Sequence, residues 1–252
     1  MDPAIAFTGL VVGMLVGLTG IGGGALMTPF LILVLGTRPV VAVGTDLVYG
    51  AVTKIAGSIL HWRQGTVDLA LARRLAVASV PAGLAAVLLL RLIPDSAAAD
   101  AAVRRALGVV LLLVALLMLV RVLGAMPHEL PARVRERLQG RGTPIVGGLV
   151  GALVGFTSVG SGALLVPFLL YVFPLNAATI VGTDVFHAAL LLSATAAGHA
   201  QGGFVDWGLA ANLLVGSVPG VAVGSWMAPR VPARALRVVL ACLLLASGYQ
   251  LL

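Results

Sequence analysis

Val43-Gly44-Thr45-Asp46 and Val181-Gly182-Thr183-Asp184 are the same four residues set 138 positions apart. The offset holds without a gap from Gly9/Gly147, through His61/His199 and Asp68/Asp206, to Pro81/Pro219, loops included. The chain is therefore a duplicated unit. Each copy also carries a glycine-rich break ahead of the tetrapeptide. The first reads Gly17-Leu18-Thr19-Gly20-Ile21-Gly22-Gly23-Gly24-Ala25-Leu26-Met27-Thr28-Pro29-Phe30, the second Gly155-Phe156-Thr157-Ser158-Val159-Gly160-Ser161-Gly162-Ala163-Leu164-Leu165-Val166-Pro167-Phe168. A duplicated apolar unit with a break in each half is a transporter pattern, in which the substrate lies where the two repeats meet.

Composition places that pattern in a membrane. Of 252 residues, 60% are hydrophobic and 10% charged, against about a quarter charged in soluble domains. The net charge of +7 is sixteen positive residues, fifteen arginines and Lys54, less nine acidic ones. The arginines sit near span ends, where they orient the chain and meet anionic lipid headgroups, so nucleic-acid binding is excluded. Cys242 is the sole cysteine and forms no internal disulfide. The N-terminal segment lacks a basic n-region and belongs to the repeat, so it reads as retained. No nucleophile has a plausible base, no carboxylates are paired for glycosidase chemistry, and no Cys/His cluster could hold a metal. The reading is a membrane protein that is not an enzyme and needs no cofactor.

Run length and Gly/Pro punctuation predict an all-α polytopic protein of two repeats, each of five helical segments. The first copy is expected over about 4 to 19, 24 to 36, 39 to 60, 69 to 91 and 104 to 124. The second is expected over about 144 to 157, 162 to 174, 177 to 198, 208 to 229 and 233 to 252. This divides the chain into a first repeat (1–124), a basic linker (125–143) and a second repeat (144–252). The leading pair in each copy is too short to cross comfortably and reads as a re-entrant or kinked hairpin. With three crossings per repeat, eleven arginines share one side and Arg38, Arg91, Arg104 and Arg105 the other; with four, the split is eight to seven. Positive residues favour the cytoplasm, so the biased arrangement is expected: inverted repeats, a cytoplasmic linker and both termini outside.

Glycines at a helix start let unpaired N–H groups and the positive dipole end approach an anion. A phosphate-loop reading fails, since no Walker lysine follows and no βαβ pattern surrounds the motif. The candidate substrate site is Thr19, Gly22, Gly23 and Gly24 from the first break, with Thr157, Ser158, Gly160, Ser161 and Gly162 from the second. The same glycines would also let helices pack closely. Asp46 and Asp184 lie inside apolar spans, either as coupling groups or as caps of a neighbouring hairpin. Lys54, eight residues after Asp46, is a candidate substrate cation or half of an ion pair, and His187 follows Asp184 by three. His61 and His199 read as interface or loop residues.

At Gly17 to Phe30, at Ala42-Val43-Gly44-Thr45-Asp46, and at the second-half versions of both, the chain resembles the TauE/SafE family of sulfite and organosulfonate exporters. The likeness covers nearly the whole length. It implies a carrier of the bacterial inner membrane for small sulfur-containing anions such as sulfite, sulfoacetate or other sulfonates, moved outward. The serines at 158 and 161, where the first copy keeps glycine, leave the substrate open. With no ATP-binding motif, an ion gradient, the membrane potential or the substrate's own gradient must drive it. Expelling an anion from a cell negative inside gains about 2.3 kcal/mol per charge per 100 mV, so an exporter needs no coupling ion on that ground. An anion channel and a proton-coupled organic-anion uptake carrier are the alternatives. The partners expected are the small anion and membrane lipid, and the pattern specifies no oligomeric state.

Overall fold

The computed structural model describes residues 3–19, 23–123, 130–227 and 230–252, and among them it is all helix and turn, with no strand. The first copy forms α1 (Pro3–Thr19), α2 (Gly24–Leu33), α3 (Pro39–Arg63), α4 (Leu69–Arg91) and α5 (Ser96–Val122). The linker contributes α6 (Ala132–Arg137), continued by a π-turn (Leu138–Gly142) into α7 (Thr143–Thr157). Then follow α8 (Leu165–Val172), α9 (Ala177–Gln201), α10 (Trp207–Met227) and α11 (Ala233–Leu251). Helices α3, α4, α5, α9 and α10 are long and apolar enough to cross a membrane.

Local chemistry sets the boundaries. Asp68 and Asp206 accept the N–H of Leu71 and Leu209, each at 2.9 Å, and so start α4 and α10 at equivalent places. Helix α5 begins earlier than the apolar run from 104 predicts. Asp95 caps it through the Ala97 N–H at 2.9 Å, and Asp100 accepts from Arg38 Nε at 2.8 Å. An alanine-rich polar turn is helical for reasons hydropathy does not register. Helix α8 is shorter than predicted: residues 161–164 are turns, and Gly160 (φ +152°) and Gly162 (φ +59°) hold a backbone that an α-helix cannot use.

The copies interlock. Helix α1 packs on α10 and α7 on α4, while α3 lies against α9 and α5 against α11. The pairing is reciprocal to the residue. A Cβ on Gly9 would fall 2.6 Å from the carbonyl oxygen of Leu213, and one on Gly147 would fall 2.8 Å from that of Leu75, the equivalent position. Gly13 and Gly151 likewise meet Ser217 and Ser79, and Gly17 and Gly155 meet Val221 and Gly83. Such small-residue seams let helix backbones touch where lipid gives no hydrophobic drive to associate. The order of contacts shows that α1 runs parallel to α10, and α7 to α4. Gly44, Gly50 and Gly57 of α3 meet His199, Leu192 and Val185 of α9, so those two equivalent helices run antiparallel.

Helix α7 climbs α4 only as far as Gly83, about two-thirds of the way along it. Helix α8 then descends, for Leu165 and Leu169 cluster with Leu71, Leu75 and Ile180 at the starts of α4 and α9. Its last carbonyl, on Val172, accepts from Gln139 Nε2 at 2.7 Å, just before α7 begins. The second pair is thus a hairpin that returns to its own side. In the first pair, Met27 and Leu31 of α2 cluster with Leu209 and Leu213 near the start of α10, although α1 has passed Val221.

Candidate functional site

The repeated tetrapeptide divides its labour. Gly44 and Gly182 bear no side chain because a Cβ would collide with the carbonyls of Phe204 and Thr66, in the turns before α10 and α4. Thr45 Oγ1 accepts the Asp206 N–H at 3.0 Å, and Thr183 Oγ1 accepts the Asp68 N–H at 3.0 Å. Glycine and threonine therefore lock each copy's central helix to the other copy's cap. Sequence reading missed this role, although the recurrence of Thr45 and Asp206 at one offset was the available signal. The aspartate that follows each threonine is buried as well.

Asp46 is 1% and Asp184 2% exposed. They have different partners. Asp184 Oδ1 accepts the Gly162 N–H at 3.1 Å, and its Oδ2 lies 3.6 Å from Lys54 Nζ. Asp46 Oδ2 accepts the Thr28 hydroxyl at 2.5 Å, while Oδ1 has no hydrogen-bond partner among the described residues. Ser158 lies near that carboxyl without reaching hydrogen-bond geometry to Oδ1. His187 Nε2 meets Ser79 Oγ at 2.7 Å. The equivalent positions in the other half are Tyr49 and Ser217.

The hairpin tips meet here, with Gly24 close enough to the carbonyl of Ser158 that a Cβ on it would collide. Between them lies a cavity of about 20 Å³ whose lining includes Gly23, Gly24, Asp46, Lys54, Ser158 and Ser161. It has room for about one water. Gly160 also lines it, as do Gly50, Thr53 and Leu192, which the sequence did not single out. Thr157 is buried elsewhere: its hydroxyl donates to the Leu153 carbonyl at 2.7 Å. Gly162 contributes its amide to Asp184 rather than to the cavity, and His187, bonded to Ser79 of α4, is not part of the lining. The side chain of Thr19, and all of Gly22, lie outside the described residues.

The two tips do not offer equal amides. In α2 the Gly23 carbonyl accepts from Leu26 and Met27, and the Gly24 and Ala25 N–H groups have no backbone acceptor among the described residues. In the second tip Ala163 donates to Ser161 and Leu164 to Gly160, the latter at 3.1 Å. Ser158 ends α7 in the left-handed region at φ +62°, turning the chain toward the cavity. His199 Nε2 bonds the Gly155 carbonyl at 2.9 Å and His61 Nδ1 meets Thr66 Oγ1 at 2.9 Å, both away from the cavity lining.

A duplicated bundle of spanning helices, with two half-length hairpins touching at a buried charged cavity, defines a multi-pass membrane transporter. A family described as "Sulfite exporter TauE/SafE" matches residues 5–251, and the chain belongs to that family. It is 43% identical over 259 residues to "Probable membrane transporter protein YjnA" of Bacillus subtilis, with all of both chains covered. It is 29% identical to a "Probable membrane transporter protein" of Xylella fastidiosa over 88% of this chain and 83% of that one. These relatives are transporters, not enzymes. No solved structure matches the chain.

Proposed function

We propose that this protein is a secondary carrier moving small sulfur-containing anions, among them sulfite, sulfoacetate and other sulfonates, outward across the bacterial inner membrane. The anion binds between the hairpin tips. The observation that carries this reading is the meeting of α2's N-terminus, the Lys54 ammonium and the serines at 158 and 161 around one cavity. Backbone amides and a helix dipole attract an anion without a mobile side chain, and hydroxyls can satisfy its several acceptor oxygens. Thr19 and Gly22 are assigned to the first tip from sequence alone. The small cavity favours a carrier that opens in turn over an anion channel.

The layout we infer has inverted repeats, the 125–143 linker in the cytoplasm and both termini outside. The antiparallel run of α3 and α9 supports it. Four crossings per repeat would set these helices parallel, whereas three set them antiparallel. Purified protein in vesicles, assayed for uptake of sulfite, sulfonates, thiosulfate and small carboxylates, tests the substrate class. Saturable flux stimulated by the same anion on the far side is expected. Unsaturable flux would indicate a channel, and flux of carboxylates alone would refute the sulfur-anion assignment.

A further inference from the structure

The charges around the cavity do not suit an anion as they stand. Asp46 and Asp184 are both buried, and among the described residues Lys54 is the only cation lining the cavity. With both carboxyls ionised the cluster carries a net charge of −1. The N-terminus of α2 offsets this by about half a charge at most. A bound anion would add a second uncompensated negative charge in a low-dielectric site, which is strongly disfavoured. One carboxyl must therefore be neutral when the anion is bound.

The geometry assigns that role to one of the two. Asp184 has a cation at 3.6 Å from one oxygen and a backbone amide on the other, so both of its oxygens are engaged. Among the described residues Asp46 has no cation against it, and its Oδ1, buried at the cavity wall near Ser158, has no hydrogen-bond partner. A buried carboxylate oxygen with neither a cation nor a donor against it is costly to keep charged, and a proton on Oδ1 removes that charge and presents a donor to the cavity.

Other titratable groups do not relieve the imbalance. On α3 the neighbours are Tyr49 and Lys54, and on α9 Asp184 and His187. Helices α2 and α10 contain no titratable side chain. On α5, Asp100 is engaged by Arg38 and the Val40 N–H at the start of α3, about 9 Å along the helix from Asp46, and Arg104 reaches the Gln250 carbonyl. His187 has one partner, Ser79, and its Nδ1 has none among the described residues. An imidazolium would bury a second N–H with no acceptor, so the ring is neutral.

Resting on the anion reading above, we propose that Asp46 is a proton site that fills together with the substrate. A proton from the aqueous phase that supplies the anion bonds to Oδ1, and it leaves to the receiving phase when the anion does. No electron changes hands. A monoanion then crosses as a neutral pair, so the membrane potential does not drive it. Net flux follows the combined anion and proton gradients.

Sulfite binding to the purified protein, measured calorimetrically in two buffers of different ionisation enthalpy, counts the protons taken up. Sulfite's own protonation is common to all variants. Wild type should take up about one proton more per sulfite than Asp46→Asn, and its affinity should fall about tenfold more per pH unit on the alkaline side. Equal proton counts in the two, with sulfite bound by both, would overturn the proton site and leave the anion reading intact. Absence of sulfite binding or transport by wild type would refute the anion reading, and the inference with it. Should Asp46→Asn not fold, wild-type vesicles decide the matter. Sulfite flux should raise proton concentration in the receiving compartment beyond what sulfite itself carries, and should not respond to a clamped potential. Potential-driven flux without proton movement would overturn the proposal.

Discussion

Replacing Thr183 by valine keeps the volume of the side chain and removes the one acceptor that the Asp68 N–H uses, at 3.0 Å. The amide is partly buried between copies, so the loss leaves a donor unsatisfied, at a cost of about 1–3 kcal/mol. For a domain of this size each kcal/mol moves the melting midpoint by roughly 2–4 °C. Thr183→Val should therefore melt roughly 2–12 °C below wild type in detergent, followed by Trp fluorescence. Thr45→Val removes the equivalent acceptor from Asp206 and should behave alike. The two pairs share no residue, so the double variant should show their sum within about 0.5 kcal/mol. Thr53→Val is the control, because that hydroxyl bonds the Gly50 carbonyl of its own helix at 2.9 Å and ties no copies together. If Thr183→Val and Thr45→Val both melt with wild type, the tetrapeptide's threonines do not hold the halves together and the interlocking argument is wrong.

Ser158→Gly relieves a left-handed residue and deletes a cavity hydroxyl, so the fold should be retained or gain about 1 kcal/mol while sulfite affinity falls; unchanged affinity by calorimetry would remove Ser158 from the site. Gly24→Ala puts a methyl against the Ser158 carbonyl and should abolish sulfite binding, whereas Gly140→Ala, with open space around it, should bind as wild type does. Lys54→Gln should lower sulfite affinity by about tenfold or more, since a charge-assisted bond contributes about 1.5–3 kcal/mol, and Lys54→Arg should retain part of it. Single cysteines at Gly140 and Gln201, in a Cys242→Ser background, should be labelled from the cytoplasm and from outside respectively; labelling from one face would exclude the inverted layout.

The sequence by itself determined the duplication, the membrane setting, the family and the short pair at the head of each repeat. Each is written in nearest-neighbour composition or in a fixed offset, which survive without coordinates. It also marked Asp46 and Asp184 as unusual, because an ionisable group in an apolar run is costly wherever it points. The limits of α5 and α8 were not legible in hydropathy: one was set by the Asp95 cap, the other by two glycines with positive φ. Only the tertiary structure decided that the aspartates are unequal. Aligned residue for residue they look alike, but Lys54 has no counterpart at Leu192, and the second tip spends its Gly162 amide on Asp184 while Asp46 has an oxygen with no partner among the described residues. That asymmetry exists only where two hairpins from distant parts of the chain meet, since a carboxylate's state depends on which donors surround it and not on its place in a motif.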